Sequence, residues 1–199
     1  MHAAHVRRLA NRLTVANLLS YLRLASIPVL LALAAFDLGT AFLWLLAAAW
    51  ATDAIDGPLA RALGQDSARG ARLDSLADRG LMIVITLGVV WLWPEVVRRE
   101  AAWIALLGIA LVVPRADAWV KFRRLPSYHT WLAKTLAVYM SLALLLLLNG
   151  HWPWLFRLGA LAVMLEAAEE IAITHTLARW RADIPSWWHL RHPVKAPAS

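Results

Sequence analysis

Residues 52–80 read TDAIDGPLARALGQDSARGARLDSLADRG, a polar junction between two apolar runs, about Ala41 to Ala54 and about Leu73 to Trp93-Pro94. A helix advances about 100° per residue, so Asp53 and Asp56 project about 60° apart and Asp74 and Asp78 about 40° apart, each pair on one face. With the two runs as antiparallel neighbours joined by the short loop Gly64 to Ala71, the pairs face each other. An acidic group near lipid costs roughly 2.5–3.5 kcal/mol, which calls for a partner. Four converging carboxylates repel unless divalent cations neutralise them, and an oxygen-only set without His or Cys favours a hard ion, Mg²⁺ first and Mn²⁺ second. Gly57 and Gly70 leave room for a ligand against the helix backbone, and Arg61, Arg69 and Arg72 add positive charge. A pyrophosphate-containing substrate fits this setting, with two metals offsetting charge on a leaving phosphate.

The rest of the chain places this junction at a membrane. Its 199 residues match one domain, read as 1–199 without further subdivision. Hydrophobic residues make up 61% and charged ones 17%, against roughly 45–50% and 25% in ordinary globular domains. The expected fold is therefore an all-α membrane protein. Six spans of about 20 residues each account for most of the apolar share. They are placed at about Val15–Phe36, Ala41–Ala54, Leu73–Trp93, Ala101–Val113, Trp131–Leu148 and Trp154–Ala178, with turns at Asp37-Leu38-Gly39 and Asn149-Gly150-His151. Gly57 and Pro58 are expected to bend the end of the second run while leaving it helical in pattern. The first span begins as an amphipathic helix after a basic arm, residues 1–14, which lacks the features of a removable signal peptide. A basic tail, residues 179–199, closes the chain. The absence of cysteine excludes disulfides, thiolate metal sites and cysteine nucleophiles. The net charge of +7 suits nucleic acid or an anionic lipid surface, and the hydrophobicity favours lipid.

Topology follows from the basic residues. Arg7, Arg8, Arg12, Arg61, Arg69, Arg72, Arg115, Lys121, Arg123, Arg124, Arg179, Arg181, Arg191 and Lys195 fall on one side, and only Arg98 and Arg99 on the other. That bias predicts cytoplasmic termini and a cytoplasmic acidic junction, in a bacterial inner membrane. Trp91, Trp93, Trp152 and Trp154 cluster at the outer ends and Trp180, Trp187 and Trp188 at the inner one, as interfacial anchors do.

The pattern Asp53-x-x-Asp56-Gly57-x-x-Ala60-Arg61, eight residues, Gly70-x-x-x-Asp74-x-x-x-Asp78 resembles the signature of the CDP-alcohol phosphatidyltransferase family at all eight fixed positions. Chance agreement at typical residue frequencies is on the order of 10⁻⁹ per starting position. The likeness extends to Asn17-x-x-Ser20-x-x-Arg23, to Lys134-Thr135 and to the six-span layout. The resemblance implies an integral-membrane enzyme of phospholipid biosynthesis that moves a phosphatidyl group from a CDP-alcohol, usually CDP-diacylglycerol, to an alcohol and releases CMP. It implies Asp53, Asp56, Asp74 and Asp78 as ligands of two divalent ions, Mg²⁺ or Mn²⁺, and Asp78 also as the base that takes the acceptor's proton. Gly57, Ala60 and Gly70 would make room for cytidine, and Arg61 would sit by the nucleotide phosphates. Family analogy adds a homodimer.

Other readings stand beside these. The duller reading of the aspartates, which the whole spaced pattern disfavours, is helix caps or partners of Arg61 and Arg72 in a structural network, and that of Arg61 is an ion-pair partner alone. Arg115, Arg123, Arg124 and Lys134 fit either an anionic pocket or ordinary inner-face charge, with Lys134 closest to the apolar interior; such a pocket suits glycerol 3-phosphate as acceptor. Asn17, Ser20 and Arg23 fit head-group anchoring as well as donor contact. Glu166, Glu169 and Glu170 pair with basic neighbours, face a polar cavity or touch the acceptor. The seven histidines show no ligand spacing and receive no role. Rival functions are an Mg-dependent intramembrane prenyl transferase, which is expected to have more spans and two distant motifs, and a non-enzymatic divalent-cation carrier or scaffold, which does not explain the interleaved glycines and Arg61. Nucleic acid is not an expected partner.

Overall fold

The computed structural model describes residues 15–62, 68–124, 130–181, 184 and 186–191, and all secondary structure among them is helical. The basic arm at 1–14, the loop at 63–67 and the tail end at 192–199 lie outside the described residues. The chain divides into two compact units between Glu95 and Val96.

The first unit holds α1 (Val15–Ala35), α2 (Gly39–Ala62) and α3 (Ala68–Leu92), with α1 packed against both others. The expected turn ends α1: Asp37 takes a left-handed φ of 56°, its N–H donates to the Ala34 carbonyl at 3.1 Å, and the Leu38 N–H donates to that of Leu33 at 2.9 Å. These two bonds satisfy carbonyls that a helix end leaves open, and aspartate tolerates the left-handed conformation better than most residues. Leu30, Phe42, Leu46, Ala77, Leu81 and Val84 form the buried core. Two glycines set the spacing. A side chain at Gly80 would meet Ile27 of α1, and one at Gly88 would meet the ring of Phe42 on α2. Small residues let helix backbones approach where lipid supplies no hydrophobic driving force. The helix continues through Gly57 and Pro58 to Ala62. Helix α3 starts at Ala68, one turn before the expected Leu73, so Gly70 lies in its first turn and the Gly64–Ala71 loop is shorter than the sequence suggested.

In the second unit, α7 (Pro153–Thr176) packs against α5 (Ala101–Phe122), α6 (Trp131–Leu148) and α8 (Trp187–Arg191); the short α4 (Pro94–Arg99) precedes α5. Helix α5 does not stop at Val113 but runs through the buried Pro114 to Phe122, so Arg115 stands on a helix and not in a connection. A proline removes one helical N–H, here the one that would donate to the Ala110 carbonyl; one residue on, the Arg115 guanidinium donates to the Leu111 carbonyl. Thr130 caps α6 by accepting the Ala133 N–H at 3.0 Å. Gly159 of α7 lies directly against Tyr139 and Met140 of α6, and the Tyr139 hydroxyl donates to the Leu155 carbonyl at 2.9 Å. The tail is not a free extension: Ile184 is buried against Ile173, and the Trp187 indole donates to Thr176 Oγ1 at 3.1 Å.

Among the described residues, four helices are long and apolar enough to cross a membrane: Leu18–Ala35, Arg72–Leu92, Ala101–Phe122 and Trp131–Leu148. In α2 the apolar part is limited to Gly39–Ile55 by the acidic end, and α7 carries Arg157, Glu166, Glu169 and Glu170.

Candidate active site

The buried stripe of α3 runs through Ala77, Leu81, Val84 and Ile85. Asp74 and Asp78 continue that face at the helix's N-terminal end, because positions four apart lie above one another. The face that packs apolar side chains deeper therefore presents carboxylates at its mouth. Asp53 reaches the same point from α2, and one carboxylate oxygen from each of Asp53, Asp74 and Asp78 lies within 4.8 Å of the others.

The group that joins them is Arg23 of α1. Its side chain has no solvent exposure, and its Nη1 lies 2.8 Å from Asp53 Oδ1, 2.8 Å from Asp74 Oδ1 and 3.2 Å from Asp78 Oδ1. The three aspartate side chains remain 43%, 39% and 50% exposed, so the cluster is buried on the arginine side and open on the other. Ser20 and Ser26 are buried beside it on α1, and Ser26 Oγ donates to the Arg23 carbonyl at 2.7 Å. The expected face-to-face meeting of spans two and three thus runs through α1.

This donor set fits a hard divalent cation. Three carboxylate oxygens gathered from Asp53, Asp74 and Asp78, with no His or Cys among them, are the kind of ligand such an ion takes. The side chains of Asp56, Gly57, Ala60 and Arg61 lie outside the description, although their backbone is helical within α2. Gly70 is half-buried at the start of α3. Arg72 lines an open groove of about 470 Å³ with Ser75, Leu76 and Arg79, centred about 130° around α3 from the aspartates.

In the second unit, Lys134 is exposed in the first turn of α6, its ammonium 5.5 Å from the Trp131 ring centre. Arg115 is exposed on α5 and acts electrostatically on Glu166 and Glu170 of α7. Glu169 Oε1 accepts the Trp187 N–H at 3.0 Å. Among these glutamates, Glu166 and Glu170 thus lie in the field of Arg115, and Glu169 holds the tail helix. His175 Nε2 lies 3.2 Å from Asp117 Oδ1, and Lys121 donates to the last carbonyls of α7, Thr174 at 2.9 Å and His175 at 3.2 Å.

Sequence reasoning missed two partners. On sequence alone Arg23 fits anchoring as well as donor contact, and the signal for its role is that an arginine in an apolar helix needs a counter-charge. Glu100 drew no attention, yet it has no solvent exposure and accepts from Arg157 Nε at 2.9 Å, Arg157 Nη2 at 3.0 Å and Arg99 Nε at 3.0 Å. These bonds, above all those from Arg157, hold its carboxyl below the usual glutamate range.

A model of the CDP-alcohol phosphatidyltransferase family matches residues 13–170, a segment that includes Arg23 and all four aspartates. No curated protein and no solved structure matches the chain.

Proposed function

Because the chain belongs to the CDP-alcohol phosphatidyltransferase family, we propose that it transfers the phosphatidyl group of CDP-diacylglycerol to an alcohol, releases CMP, and serves phospholipid biosynthesis. The observation that carries this reading is the convergence of Asp53, Asp74 and Asp78 from two helices inside the family-matched segment. In it, Asp53, Asp56, Asp74 and Asp78 hold two divalent ions, Mg²⁺ or Mn²⁺. Bound metal supplies positive charge that offsets the charge gathering on the leaving nucleotide phosphate.

The remaining chemistry belongs to the chain. The acceptor hydroxyl oxygen forms a bond to the lipid-linked phosphorus, the bond from that phosphorus to the bridging oxygen breaks, and CMP departs with the bridging oxygen. Asp78, the most exposed of the three clustered carboxylates, takes the hydroxyl proton. Arg61 orients the nucleotide phosphates, while Gly57, Ala60 and Gly70 leave space for cytidine. Arg115 and Lys134 bind a phosphorylated acceptor, glycerol 3-phosphate; Arg115 already faces two glutamates, which makes Lys134 the stronger of the two. In the same reading residues 1–199 form one domain with six spans, both termini and the acidic cluster lie on the cytoplasmic side of a bacterial inner membrane, and the protein is a homodimer.

The test is to supply the purified protein with labelled CDP-diacylglycerol, Mg²⁺ or Mn²⁺ and a panel of alcohols. Release of CMP that needs both metal and an added alcohol supports the proposal. Uptake of divalent ions into vesicles without CMP formation contradicts it.

A further inference from the structure

We propose that Arg23 is the counter-ion that holds Asp53, Asp74 and Asp78 together before metal binds, and thereby sets how strongly the chain depends on metal for its stability. The proposal rests on the metal reading above. Three facts carry it. The side chain of Arg23 is fully enclosed, and one nitrogen, Nη1, reaches the Oδ1 atoms of all three aspartates within 3.2 Å. The three carboxylates come from two helices, each of which packs on α1, the helix that carries Arg23. Removing the arginine takes away a positive charge that touches all three of these like charges, which lie within 4.8 Å of one another.

A cation that binds those same oxygens draws on the charge that Arg23 already engages. Arginine and metal therefore do the same work in two states of the chain. In the metal-free state the guanidinium neutralises one charge and fixes the geometry. In the metal-bound state the ions take over the oxygens and Arg23 gives up part of its hold. A planar, permanently charged guanidinium suits an enclosed site better than an ammonium, which loses its charge more readily on burial. Arg23 is on this view a positioning residue, acting through the carboxylates.

The experiment follows thermal unfolding of the full chain in lipid nanodiscs, first with chelator and then along a Mn²⁺ series, for wild type, Arg23→Met and Arg23→Lys. Anything that binds the folded state alone raises its melting temperature with concentration. The expected result is a lower melting temperature for Arg23→Met in chelator, a Mn²⁺-induced rise larger than that of wild type with half-saturation at lower Mn²⁺, and an intermediate Arg23→Lys. A wild-type rise that Arg23→Met merely equals overturns this proposal and leaves the metal reading intact. No Mn²⁺-induced rise in wild type sinks the metal reading, and the proposal with it. Should Arg23→Met not fold, the triple variant Arg23→Met, Asp53→Asn, Asp74→Asn decides. Recovery of a folded chain in chelator supports charge neutralisation, and continued misfolding assigns Arg23 to packing and overturns the proposal.

Discussion

The ring of Phe42 on α2 sits against Gly88 of α3, and the loss of that contact should destabilise the unit that carries the aspartates. Phe42 stands 11 residues before Asp53 and Gly88 stands 10 after Asp78. At 1.5 Å per residue these are separations of about 16 Å and 15 Å, so the ring contact and the carboxylate cluster lie at matched depths along the two helices. Phe42 is fully buried, and its ring also meets Trp93 edge-on at 6.0 Å. Phe42→Ala empties that space and should cost about 3–5 kcal/mol. Gly88→Ala drives a methyl into the ring. Overpacking costs about 1–3 kcal/mol, offset by about 1 kcal/mol of better helix propensity, so the net loss is about 1 kcal/mol. The two changes should not add. With the ring gone the new methyl has room, so the double variant should be as stable as Phe42→Ala or up to about 1 kcal/mol more stable. Denaturant unfolding of the four proteins in one detergent measures this cycle. Losses that sum in the double variant would show that the glycine does not seat the ring, and the register argument would fall.

Three further outcomes follow. Gly108 of α5 has nothing within 4 Å of a would-be side chain, so Gly108→Ala should be neutral or stabilising by up to about 1 kcal/mol; a clear loss in the same unfolding assay would point to an unseen neighbour. Glu100, with its carboxyl held below the usual range by Arg157 and Arg99, adds stability that is fully present above the ordinary glutamate pKa of about 4.3 and is lost as pH falls through the lower folded value. Glu100→Gln should remove that part of the acid sensitivity, and melting curves of the two proteins that stay parallel across acid pH would contradict it. Lys134→Ala should raise the KM for a phosphorylated acceptor about tenfold or more, as expected for one lost charged hydrogen bond, with little effect on the KM for CDP-diacylglycerol; equal rises for both substrates would remove Lys134 from acceptor binding.

Much of this fold is legible because it is local. The turn at Asp37 to Gly39 and the span Trp131–Leu148 depend on neighbouring residues, and they appear where the sequence puts them. The spaced aspartates are legible for the same reason, since helix geometry alone places Asp74 and Asp78 on one face. The corrections concern relations over distance. The fourth span is expected to end near Val113, but α5 continues through Pro114 to Phe122. Arg23 lies 30 to 55 residues from its three partners, and Glu100 lies 57 from Arg157. No periodicity links such pairs; the only signal is that a charge in an apolar setting must find an opposite one. The folding back of Ile184 and Trp187 onto α7 was hidden likewise, because a basic aromatic tail reads as interfacial whether or not it docks.

Binding of Mn²⁺ to the purified chain, followed by electron paramagnetic resonance in wild type and in Asp74→Asn, tests the metal centre most directly. Saturable binding in wild type that weakens by roughly 10–100-fold or more in the variant is expected, since even outer-shell partners of a metal carry that much affinity. Binding that is absent from wild type, or unchanged by Asp74→Asn, would contradict a shared ion at Asp53, Asp74 and Asp78.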